Sequence, residues 1–107
     1  MDLSSPLGRI TIAPCAIAQI AGHTIAECYG VVGTGGRRLV TRSRDAVTVG
    51  DGPDGLELSL RVVVEHGLNL AEVASTIRSR VAYEVERLTG LRVASVDVHI
   101  DGVRRSA

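Results

Sequence analysis

From Leu56 to Glu65 the chain alternates without a break, with Leu56, Leu58, Leu60, Val62 and Val64 on one side and Glu57, Ser59, Arg61, Val63 and Glu65 on the other. A period of two predicts a strand with one buried face and one wet face. Just before it, Asp51-Gly52-Pro53-Asp54-Gly55 is turn chemistry, so a strand near Ala46 to Val49 should form a hairpin with this one. After it the period changes. Leu70, Val73, Ala74, Ile77, Val81, Val85 and Leu88 recur at three- and four-residue steps, which predicts a helix with a continuous apolar stripe. Asn69 is a good N-cap, Glu72 follows at capping-box spacing, and Gly90 ends the helix. Each larger aliphatic of the stripe gains ~1.5–3 kcal/mol on burial, against a fraction of that for a surface pair such as Arg80 with Glu84, so the helix must dock on the sheet.

Beyond that helix, Leu91 and Val93 point one way, yet Val96, Val98 and Ile100 carry the apolar phase further along, so the pattern flips near Ala94-Ser95 and a β-bulge is expected there. In the first half, Gly8 to Ile12 reads as a brief strand. A helix then runs from about Pro14 to Glu27, with Ile17, Ile20, Ala21, Thr24 and Cys28 on its apolar side and Ala16, Ala18, Gly22 and Ala26 keeping it slim. Tyr29 to Val32 suits a short strand after the Gly30 exit. The order β-α-β-β-β-α-β, with two helices of similar length and one amphipathic sheet, predicts an α/β protein of the α+β type: a two-layer sandwich with both helices on one face of a mixed, mainly antiparallel sheet. The expected division is a polar leader over residues 1–7, one domain over 8–103 and a short tail over 104–107.

Composition narrows the function classes. Twelve basic and twelve acidic residues cancel, which removes the general argument for nucleic acid or an anionic membrane as a bulk partner. Two tyrosines are the whole aromatic complement, too few for base-stacking platforms, so the core must be aliphatic. Cys15 and Cys28 fall on one predicted helix, and thirteen residues at ~1.5 Å each put them roughly 20 Å apart, beyond bridging distance. Both are therefore expected as free thiols, with Cys15 in a first turn where a thiolate is favoured. No stretch has the length and apolarity of a membrane span, and the N-terminus lacks a secretory pattern, so a cytoplasmic protein without direct membrane insertion is expected.

Three constellations could carry chemistry. Asp97, His99 and Asp101 alternate along the last strand and share a face, but two-residue steps do not converge on a cation without Glu65 or His66 from a neighbour. An acid/base role for them would need a pocket that nothing in the sequence predicts. Gly33-Thr34-Gly35-Gly36 with Arg37, Arg38, Arg42 and Arg44 combines backbone amides with four guanidinium groups, a recipe for an anion or a partner and equally for a solvated loop. The elements around those glycines do not fit a dinucleotide fingerprint, and Gly30-Val31-Val32-Gly33 lacks the flanking helices of an RNA-binding KH motif. No nucleophile with its base, no catalytic set, no cofactor motif and no metal set stands out.

Taken together, Gly8, Ile10 and Ile12, then Gly30-Val31, then Val62-Val63-Val64-Glu65-His66-Gly67, and above all Val81 to Val98 with Val85-Glu86-Arg87-Leu88-Thr89-Gly90-Leu91 and Val96-Asp97-Val98, resemble the alkaline shock protein family of small bacterial cell-envelope stress proteins. The resemblance runs over residues 8–103. His66 stands where the family often has tyrosine, and Pro14-Cys15-Ala16 replaces a more acidic, apolar helix start. The resemblance implies a non-enzymatic, self-associating protein, without cofactor, that gathers at the cytoplasmic membrane face through a membrane-anchored protein partner. The expected association surface is the open sheet face with Arg61, Val63, Glu65, Asp97, His99 and Asp101, together with unpaired strand edges. The rival expectation is a small anion- or nucleic-acid-binding module using Arg37, Arg38, Arg42 and Arg44.

Overall fold

The structure is a computed structural model and describes residues 1–34 and 46–105. Its elements are β1 (Asp2–Ser5), β2 (Gly8–Thr11), α1 (Pro14–Glu27), β3 (Val31–Thr34), β4 (Val47–Gly52), β5 (Gly55–Glu65), α2 (Leu70–Thr89) and β6 (Val93–Arg104). The alternation in β5 does what its pattern predicts: Leu56, Leu58, Leu60, Val62 and Val64 are at most 2% exposed, and the residues between them are exposed or half-buried. β5 is the hub of the main sheet. It pairs antiparallel with β4 through the tight turn, from Gly52 opposite Gly55 to Val47 opposite Leu60, and antiparallel with β3 from Val62 to Val64. Parallel to β5 runs β6, paired along its whole length from Leu56 with Val93 to Glu65 with Arg104. A strand has two edges, so β3 and β4 share one edge of β5 end to end and β6 takes the other. The sheet is thus mixed and mainly antiparallel, and α1 and α2 lie side by side over it, α1 above β3 and β4 and α2 above β6. This is the α+β sandwich expected.

α2 owes its start to Asn69, whose side-chain oxygen accepts from the Glu72 N–H at 3.1 Å, and its stop to Gly90, which takes φ 74°. Its buried residues are Val73, Ile77, Val81, Val85 and Thr89, whereas Leu88 is 54% exposed. A stripe of four-residue steps continues from 85 to 89, and Thr89 can be buried because its hydroxyl donates to the Val85 carbonyl (2.6 Å) and accepts from the Leu91 N–H (3.1 Å). Glu86 Oε2 takes the Val93 N–H at 2.9 Å and so ties the helix end to the first residue of β6. The two helices differ in length, 20 residues against 14. Arg80 does not pair with Glu84. It reaches Glu27 at the end of α1 (3.6 Å), and Glu84 is held by Arg87 (2.7 Å).

The residues expected to be a polar leader are instead ordered as β1, which pairs antiparallel with β2 in a separate two-stranded sheet, Asp2 opposite Thr11 to Ser5 opposite Gly8. The hairpin is tied down at its open end, where the Ile12 N–H donates to the Met1 carbonyl at 2.8 Å and both side chains pack on the core. Its tip, at Leu7, is fully exposed. Gly55 is needed where it stands: at φ 136° it brings the β5 entry so close to β6 that a Cβ would sit 2.6 Å from the Arg92 carbonyl oxygen.

Candidate association surface

β5 and β6 build the open face. Because they run parallel, with Ser59 beside Asp97 and Arg61 beside His99, the odd-numbered residues of β5 and those of β6 between its two register shifts project to the same side, away from the helices. Arg61 Nε donates to Asp101 Oδ2 at 2.8 Å, an ion pair that joins β5 to β6 on this face. Both partners keep contact with solvent, and Asp97 and His99 are exposed beside them. Val63 and Glu65 are half-buried further along, opposite Gly102 and Arg104. The six residues singled out by alternation therefore do share one surface.

Register on β6 is set by two irregularities. The expected shift occurs at Ala94, between the pairs Leu56–Val93 and Glu57–Ser95. A second shift, not among the expectations above, occurs at Asp101, between Val62–Ile100 and Val63–Gly102, and the Arg61 contact holds the extra residue on the open face. Between them, Val96 is buried and Val98 and Ile100 are partly buried against the core.

Asp97, His99 and Asp101 are spread along a strand, and among the described residues no three His, Cys, Asp or Glu side chains are grouped to hold a metal ion. Arg37, Arg38, Arg42 and Arg44 lie outside the described residues. Of the thiols, Cys15 is exposed and Cys28 is buried, with its Sγ 3.2 Å from the Thr24 carbonyl. Burial pushes the Cys28 thiol up from its ordinary value, the Arg80 charge acting against this. On α2, the hydrogen bond from Arg87 holds the Glu84 carboxyl below its ordinary value. Among the described residues no helix is long and apolar enough to cross a membrane.

A chain of this fold, with one greasy face fully used by its helices and one polar face left open, matches a known class along almost its whole length. The profile of the alkaline shock protein 23 family, described as having a cell envelope-related function, matches residues 2–105, and the chain belongs to that family. It is 27% identical to the uncharacterized protein YloU of Bacillus subtilis, over 97% of this chain and 95% of that protein. It is also 28% identical to a protein of Streptococcus pyogenes named as a stress response regulator gls24 homolog, over 96% of this chain and 63% of that longer protein. No solved structure matches.

Proposed function

We propose that this protein is a non-enzymatic adaptor or scaffold of the bacterial cell envelope, which associates with itself and docks on a membrane-anchored protein partner at the cytoplasmic face. The observation that carries this reading is the open face of β5 and β6. A sheet face lined by Arg61, Asp97, His99 and Asp101 over a complete aliphatic core is suited to binding another surface, and its side chains form no nucleophile–base pair or enclosed acid/base set. The family's cell envelope-related function and the stress-regulator name of the streptococcal relative agree with it.

Sedimentation velocity over a concentration series, at low and high salt, tests the self-association. The expected result is a weight-average sedimentation coefficient that rises with concentration at both salts. A single monomeric species up to high micromolar concentration would overturn it. Flotation tests the docking: the purified protein should stay behind with protein-free anionic vesicles and rise with native membranes, and lose that binding when the membranes are first treated with protease.

A further inference from the structure

The self-association proposed above has a specific geometry available to it, at the outer edge of β6. The Leu56 N–H donates to the Arg92 carbonyl and the His66 N–H to the Arg104 carbonyl, both at 2.8 Å, while the Glu65 N–H turns the other way to the Gly30 carbonyl. Even-numbered residues of β5 thus aim their backbone groups at β6, and odd-numbered ones at β3 and β4. In a parallel pair, a residue so aimed bonds the two residues flanking its register partner. Leu58, opposite Val96, therefore engages Ser95 and Asp97, and Leu60, opposite Val98, engages Asp97 and His99. The N–H and C=O groups of Val96, Val98 and Ile100 are left facing outward, along an edge to which no described strand is bonded.

We infer that this edge pairs with β6 of a second copy, antiparallel about a two-fold axis at Val98, so that the two sheets become one. Three observations select that occupant and that register. First, a regular ladder needs an unbroken stretch, and β6 is regular only over 95–100, between its shifts at Ala94 and Asp101; Asp97 and Val98 are the two central residues of that stretch. Second, charge is complementary only there. With the axis at Val98, Asp97 of each copy lies opposite His99 of the other, and the ladder closes with Val96 opposite Ile100, short of the shift at Asp101. An axis at His99 would set Asp97 against Asp101 twice, and one at Asp97 would oppose two carboxylates; like charges placed directly opposite are destabilising. An axis at Ile100 would run the ladder across the bulge. Third, the space exists. Ala71, Ala74, Ser75 and Arg78 of α2 and residues 96–99 of β6 line a groove of about 380 Å³ beside this edge. The inward-facing Val96, Val98 and Ile100 of the second copy would enter it and cover the aliphatic surface that Val98 and Ile100 still expose.

This inference rests on the self-association reading but fails separately from it. Val98→Pro removes an N–H that no described strand bonds, so the fold, checked by circular dichroism on a dilute sample, should persist while the edge loses its central donor. Asp97→Lys changes only an exposed side chain and puts a cation opposite His99. Each should raise the concentration at half-assembly by at least about tenfold. Asp97→Lys/His99→Asp exchanges the charges on both copies at once and should bring assembly back to within about threefold of the native chain. If the native protein assembles and Val98→Pro and Asp97→Lys assemble equally well, the β6 edge is not the contact, and the self-association reading stands without it. If the native protein stays monomeric, both are overturned.

Discussion

The two faces of β5 and β6, at the heart of the main sheet, are made by the same strands, yet they answer to different physics. Toward the helices, Leu58, Leu60, Val62 and Val64 are sealed against Ile17, Ile25, Ile77, Val81 and Val85, and every one of these side chains is less than 2% exposed. Away from the helices, Arg61 and Asp101 bond each other in contact with water, and Asp97 and His99 stand open. Burial free energy scales with apolar area removed from water, so the first face carries the stability. Exposed ion pairs contribute little, so the second face is free to be used for something else. The difference shows where to look for an association surface: on the face the fold does not need.

That contrast can be broken most forcefully from the buried side. Ile77→Ala removes a fully buried side chain between helix and sheet and should cost about 2–5 kcal/mol in urea unfolding, enough to endanger the fold. Asn69→Ala removes the cap of α2 and should cost about 1 kcal/mol by the same measurement. On the open face, Arg61→Ala should change stability by less than about 1 kcal/mol, since the Arg61 side chain is half exposed. A loss as large as that of Ile77→Ala would erase the distinction between the faces.

The thiols sharpen the same contrast on a smaller scale. An alkylating reagent should modify exposed Cys15 promptly and buried Cys28 only as the protein opens, which mass spectrometry would resolve site by site. The raised Cys28 value also sets a pH dependence. Above its ordinary value of 9.0 the unfolded thiol loses its proton before the folded one does, so the folded state then binds more protons and stability falls as pH rises. The effect is small, and it should disappear when urea midpoints of Cys28→Ala are compared across the same range.

Local signals were legible in the sequence because their causes are local. Alternation gave β5 its faces, Asn69 and Gly90 bounded α2, and the change of phase at Ala94 announced a bulge. What could not be read depends on partners far away in the chain. Nothing in β5 or β6 alone says that they run parallel, or that β3 and β4 share one edge of β5. Asp2 to Ser5 offers one apolar residue, and becomes a strand because β2 pairs with it. The second bulge, at Asp101, is marked in the sequence only by the three-residue step from Ile100 to Val103, too close to the strand's end to establish a new phase, and Arg61 across the strand confirms it. For the same reason the six residues of the open face could be grouped from their alternation, but the free backbone of Val96, Val98 and Ile100 could not be seen until the pairing of β6 was known.

The central claim is that the outer edge of β6 is open in the monomer and paired in the assembly, and amide hydrogen exchange of the native protein at low and high concentration reads this residue by residue. The account predicts that the Ser95, Asp97 and His99 amides are equally protected at both concentrations, while those of Val96, Val98 and Ile100 exchange fast in dilute solution and slow as the protein assembles. Fast exchange at Val96, Val98 and Ile100 in a fully assembled sample would contradict it.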